Sequence, residues 1–87
     1  MYSIVYDKEV NRHLKNLKGA KLLPKAMQLL NDMKADPFVV PPPFKQLRGE
    51  LAGMYSRRIN QKHRIFYAVD EDAKEIHVLS MWNHDFE

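Results

Sequence analysis

Apolar positions recur along this chain in two rhythms, and each rhythm predicts its own elements. Tyr2 to Tyr6, YSIVY, is a short β-prone run and predicts a first strand. From Lys8 to about Lys18 the apolar residues Val10, Leu14 and Leu17 share one stripe at helical spacing, with Lys8, Glu9, Arg12, Lys15 and Lys18 on the solvated side. Asp7 stands where an N-cap belongs and Gly19 where a helix ends. His13 lies beside the stripe as a boundary residue. A second helix starts near Leu22, tolerates Pro24 in its first turn, and offers Leu23, Ala26, Met27, Leu30 and Met33 to a core. Asp36-Pro37 closes it, since proline disfavours α geometry in the residue before it.

Beyond that point the rhythm changes to alternation. Phe38 to Gln46, FVVPPPFKQ, predicts a stiff polyproline strap that holds Lys45 near the next element. Met54–Ile59 and Arg64–Val69 then predict a β-hairpin, with its turn inside Asn60 to His63. In the second arm Ile65, Tyr67 and Val69 face one way, and Arg64, Phe66 and Ala68 the other. A loop of odd length puts Arg58 on the Arg64 face and lets Ile59 share the core face with Ile65; a two-residue turn at Gln61-Lys62 would separate the two arginines. The odd loop is the expected one. A charged turn, DEDAK, leads to a last strand over Glu75–Trp82. The expected architecture is a single α+β domain over residues 1–87 in the order β-α-α-β-β-β. Its antiparallel twisted sheet carries a helical hairpin on one face and leaves the other open.

Charge adds direction to that picture. The net charge is only +3, but between Phe44 and Arg64 six cations (Lys45, Arg48, Arg57, Arg58, Lys62, Arg64) meet one anion, Glu50. From Ile65 onward one cation meets six anions. A single exposed arginine does little. A group of them on a rigid hairpin, each with a planar fork of donors, suits a phosphate polyanion. Tyr55, Tyr67 and Trp82 belong mainly to a core, although Tyr55 or Phe86 could stack on an unpaired base.

Other chemistries find less support. The chain of 87 residues suffices for one compact core. It has no cysteine, hence no disulfide and no thiolate metal site, which fits a reducing cytoplasm. It begins at Met1 without a charged-then-apolar leader, and no apolar run approaches the roughly 20 residues of a membrane span. His13, His63, His77 and His84 show no zinc-ligand spacing, so neither metal nor cofactor is expected.

The stretch Ser56-Arg57-Arg58-Ile59-Asn60, followed by His63-Arg64 and Tyr67, resembles the Txe/YoeB branch of the RelE superfamily, the toxins of bacterial type II toxin–antitoxin modules. Asp36-Pro37-Phe38 with its prolines, Leu47, Leu51 with Gly53, and Met81-Trp82-x-His84 extend the resemblance over most of the chain. It implies a RelE-like fold and a ribosome-dependent mRNA endoribonuclease, working without metal through attack of a ribose 2′-OH on the adjacent phosphate. Such a reaction needs a base, cations for the phosphorane and an acid for the leaving oxygen. By position, Arg58 and Arg64 would hold the phosphate and His84 would be the acid. Arg48, Arg57 and Lys62 would contribute to RNA binding with Tyr55 and Phe86. Two positions depart from the family pattern. Lys45 stands where a glutamate base is usual, and Asp85 follows His84 where a tyrosine is usual. An amine serves as a base where neighbouring cations favour its neutral form; Glu50 is a second possible acceptor. The resemblance also implies a cognate acidic antitoxin, ribosome and mRNA as partners, and a homodimer or a hetero-oligomer with the antitoxin. A catalytically weak member that binds RNA, ribosome and antitoxin, and a gyrase-targeting toxin of the same fold, remain open as alternatives.

Overall fold

In the computed structural model, which describes residues 1–82, the C-terminal half folds back on itself strand by strand. The elements run β1 (Ser3–Tyr6), α1 (Val10–Gly19), α2 (Leu23–Ala35), β2 (Phe44–Gln46), a single 3₁₀ turn (Gly49–Leu51), β3 (Met54–Arg58), β4 (Arg64–Asp70) and β5 (Glu75–Ser80). They form one five-stranded sheet in the order β1-β5-β4-β3-β2. The pairs β2–β3, β3–β4 and β4–β5 are antiparallel. β1 joins the sheet parallel to β5, from Ser3 opposite Glu75 to Tyr6 opposite Val78, so the sheet is mixed. The α+β class and the hairpin follow the sequence reading, while β2 is an added edge strand. At three residues it is too short to show an alternation of its own.

Helices α1 and α2 cover one face. Val10, Leu17, Ala26, Leu29, Leu30 and Met33 pack against Ile59, Ile65, Tyr67, Ile76, Val78 and Met81. Fully burying a side chain of this size contributes about 1.5–3 kcal/mol. The buried stripe of α2 is Ala26, Leu29, Leu30 and Met33, whereas Met27 is 42% exposed. The expected stripe was thus one position out of phase in its middle turn. No helix among the described residues is long and apolar enough to cross a membrane.

The helix ends differ from expectation for local reasons. Asp7 does not cap α1 with its side chain. Its N–H is tied into the sheet on the Val78 carbonyl (2.9 Å), and only its own carbonyl reaches the helix, accepting the Val10 N–H at 3.0 Å. Gly19 is the last residue of α1, but the left-handed position that reverses the chain is Lys21 (φ 62). The Leu22 N–H donates to the Leu17 carbonyl (2.8 Å) and the Lys21 N–H to Lys18 (3.1 Å), the paired bonds of a Schellman ending. In the strap, the Val40–Pro41 and Pro41–Pro42 peptide bonds are cis.

His13 is a core residue, not a boundary one. It is 3% exposed, and its Nδ1 accepts the Met81 N–H at 3.2 Å, tying α1 to the segment that follows β5. An accepting Nδ1 requires the neutral ring. Burial, assisted by the Arg12 charge and opposed by Glu9, lowers the pKa of His13 below the ordinary imidazole value. A depressed folded-state pKa gives stability that is present above about pH 6.5 and lost as pH falls. Thermal melts between about pH 7.5 and 5 should therefore show the wild type losing stability faster on acidification than His13→Ala. The variant itself should be less stable at neutral pH by about 1–3 kcal/mol, from the unpartnered Met81 amide. Equal pH slopes for the two proteins would remove His13 from this role.

Candidate functional site

The hairpin β3–β4 sets the site, and its register decides which arginines are available. Tyr55 faces Tyr67, Ser56 faces Phe66, Arg57 faces Ile65 and Arg58 faces Arg64. Alternation along each strand sends Tyr55 and Arg57 to the helix-covered face with Ile65 and Tyr67. Ser56, Arg58, Arg64 and Phe66 go to the other face. The connection Ile59–His63 is five residues long, odd as expected. Its turn is held by Asn60, whose Oδ1 accepts the N–H groups of Lys62 (2.8 Å) and His63 (2.7 Å). The preceding β2–β3 connection reverses through Gly53 at φ 93, a conformation that glycine adopts without a Cβ penalty.

Arg58 and Arg64 therefore stand directly opposite one another on adjacent strands. Like charges in that relation destabilise a sheet. Among the described residues neither has an ion-pair partner: the salt bridges found are Lys74–Glu71 and His77–Glu75. Arg58 is exposed, and Arg64 is half-buried with its Nη1 3.5 Å from Ser56 Oγ. Lys45, exposed on β2, pairs with Ser56 and so lies on the same face. A cleft of about 740 Å³ joins Lys45, Ser56, Arg58 and Arg64 and extends to Asn60 and Gln61 of the loop. Its far wall is α2, which adds Leu29 and Lys25. Lys25 was not anticipated, because nothing in the periodicity of α2 shows which exposed residue overlooks the sheet end. Four cations around one cleft, with no carboxylate among the described residues that line it, make a receptor for an anion with more than one charged group.

Two of the sequence candidates are corrected. Arg57 is fully buried (0% exposed), with its guanidinium directed at backbone carbonyls and away from the open face, so it does not offer an RNA contact. Tyr55 is half-buried on the covered side, its ring 5.0 Å from Phe38, 5.9 Å from Phe44 and 5.7 Å from Tyr67. It is occupied by aromatic neighbours and is not a platform for a base. Lys62 and Arg48 are exposed in the loops at either side of the hairpin. His84, Asp85 and Phe86 lie outside the described residues.

Periodicity does not reveal the contact that anchors Trp82. The His63 ring stacks on Trp82 at 3.9 Å between centroids, and its Nδ1 donates to the Trp82 carbonyl. The chain thus leaves Trp82 beside the hairpin loop, one residue from Arg64. Among the described residues, Asp70, Glu75 and His77 form a group that could hold a metal ion, with ligand atoms within 4.8 Å of one another. They come together across the β4–β5 turn, at the opposite end of β4 from Arg64. The spacing along the chain does not announce this group.

Comparison with known proteins agrees with the geometry. A family profile described as the YoeB-like toxin of bacterial type II toxin–antitoxin systems matches residues 8–85. Toxin YoeB of Escherichia coli K12 is 34% identical over 53 residues, which is 61% of this chain and 63% of that protein. Among solved structures, a YoeB/ParE toxin from Agrobacterium tumefaciens superposes with a TM-score of 0.86 at 25% identity, over 95% of this chain and 99% of that one. The toxin-like chain of a YoeB–YefM complex from Staphylococcus aureus gives 0.80 at 26% identity, over 98% and 99%. The match covers nearly the whole sheet-and-helix framework together with the cationic hairpin, and the chain belongs to the YoeB-like toxins of bacterial type II toxin–antitoxin systems.

Proposed function

We propose that this toxin is an endoribonuclease that cuts mRNA on the ribosome and so blocks translation. The observation that carries the proposal is the Arg58–Arg64 pair, in register, on the open face and, among the described residues, without a carboxylate partner. Such a pair is costly unless an anion completes it, and a phosphodiester passing through a pentavalent phosphorane gains the most from two fixed guanidinium groups. In the proposed reaction the ribose 2′-oxygen bonds to phosphorus and the phosphorus–5′-oxygen bond breaks. The products are a 2′,3′-cyclic phosphate and a 5′-hydroxyl. Lys45, in its neutral form, takes the 2′-OH proton, and His84 returns one to the departing 5′-oxygen. The cleft is the right scale for one nucleotide and its flanking phosphates, with Lys25 on the side of α2.

A second reading has one observation in its favour. The resemblance puts a glutamate where this chain has Lys45, and a missing base would leave a protein that binds ribosome and RNA but cuts slowly. The two readings diverge in single-turnover cleavage of mRNA on programmed ribosomes. Arg64→Ala should slow cleavage on the order of 100-fold. His84→Gln should slow it by about 10²–10⁴-fold. Binding should weaken much less in both, since these contacts mature in the transition state. Lys45→Ala should abolish cleavage. Intact mRNA at saturating wild-type protein selects the binding reading, and an increase on Lys45→Glu identifies Lys45 as a replaced base.

The partner proposed for the same basic face is an acidic antitoxin segment that folds as it binds, in keeping with the complex formed by the Staphylococcus relative. Co-expression with the small acidic protein encoded beside this one should yield a co-purifying complex and restore growth. Binding to RNA or to the antitoxin should weaken steeply with salt, and Arg58→Ala or Arg64→Ala should flatten the dependence. An affinity indifferent to salt would contradict the electrostatic basis of both contacts.

A further inference from the structure

Arg57 sits where a buried charge is expensive. It is fully buried, yet among the described residues no carboxylate accompanies it. Its Nη1 donates to the carbonyls of Val39 (2.7 Å) and Pro42 (2.6 Å), and its Nη2 to the carbonyl of Pro37 (3.1 Å). The Tyr67 hydroxyl donates to the same Pro37 carbonyl at 2.9 Å and lies 3.5 Å from Nη2. The Phe44 ring lies 5.3 Å from the guanidinium carbon. Nε, buried, has no partner. A guanidinium is thus spent on three carbonyls of one segment, residues 37–42.

That segment makes a turn of its own at its start, where the Phe38 and Val39 N–H groups donate to Asp36 (2.9 and 3.1 Å), but its proline-rich part has few donors. Pro37, Pro41, Pro42 and Pro43 have no N–H to give to a ladder. β2, which follows at once, has only three residues and pairs only with β3, through Phe44–Arg57, Lys45–Ser56 and Gln46–Tyr55. The residue that fastens the strap is therefore the same residue that opposes the first position of β2. Its neighbours on β3, Ser56 and Arg58, face the cleft. Lys45 is separated from the fastened Pro42 carbonyl by only Pro43 and Phe44.

We propose that Arg57 is a positioning residue: by gathering the strap carbonyls it fixes the place of Lys45 opposite Arg58 and Arg64. The role uses the breadth of the guanidinium. Two of its nitrogens reach three acceptors, which a lysine ammonium on a single point cannot match. Tyr67 is the second part of the latch. Burial raises its pKa, against the opposing influence of Arg57, so the phenol keeps the proton that it donates to Pro37.

The inference rests on the proposed cleavage reaction for its functional half, and the test separates the two. Hydrogen exchange of the Arg57→Lys protein reads the latch without reference to activity. The amides of β2 and their partners on β3 should lose protection, while Ile76 and Val78 of β5 keep theirs. Single-turnover cleavage on programmed ribosomes then reads the consequence. Arg57→Lys should lower the saturated rate about tenfold or more through misplacement of Lys45, with ribosome affinity unchanged within about twofold. Should Arg57→Lys fail to melt cooperatively, Tyr67→Phe, which removes only the hydroxyl, is carried through the same measurements with a smaller loss expected. Unchanged protection of β2, or a loss of ribosome affinity in place of the loss in saturated rate, overturns the positioning role. A wild-type protein that leaves mRNA intact overturns the reaction instead, and the exchange data alone then decide whether Arg57 fixes the strap.

Discussion

The pleat of β3 decides almost everything about this protein. Arg57 and Arg58 are neighbours in sequence and chemically identical, yet alternation places one in the interior and the other at the mouth of a cleft. A slip of one residue would exchange them. Arg58 would then be driven into the core, and the strap would lose the donors that its proline-rich backbone lacks. The register is held by the Ile65 and Tyr67 side chains packed under α1 and α2, and by the Asn60 turn that fixes a five-residue loop. The apolar core and the cationic site are therefore two consequences of one alignment.

Much of this was legible in the chain. Ile65, Tyr67 and Val69 against Arg64, Phe66 and Ala68 gave the two faces of β4, and the need for Ile59 to share the core gave the odd loop. From these the Arg58–Arg64 pair followed without a structure. What remained hidden depends on contacts between distant residues. The burial of Arg57 is invisible to periodicity, because its acceptors lie 15 to 20 positions upstream on the strap. Tyr55 looked available for stacking because Phe38 and Phe44 reach it only after the strap folds back. His13 looked like a boundary residue because its acceptor role is met by Met81, 68 positions away. Lys25 and the His63–Trp82 stack are of the same kind.

The arrangement also accounts for a division between rigidity and exposure. Arg58 and Lys45, two of the exposed cations of the site, are both mounted on paired strands, not on loops. A cation on a paired strand loses little further freedom when a phosphate arrives, which favours discrimination in the transition state over simple attraction. The electrostatic cost of mounting two guanidinium groups face to face is carried by the hydrophobic contacts beneath them.

The central claim is that Arg57 belongs to the interior while Arg58 and Arg64 form the anion receptor. Arginine-specific chemical modification of the native protein, read by mass spectrometry of the peptides with and without single-stranded RNA, addresses it most directly. Arg58 and Arg64 should react in the free protein and be protected by RNA, and Arg57 should stay unmodified until the protein is denatured. Modification of Arg57 in the native protein as fast as Arg58, or RNA that protects neither Arg58 nor Arg64, would contradict the account.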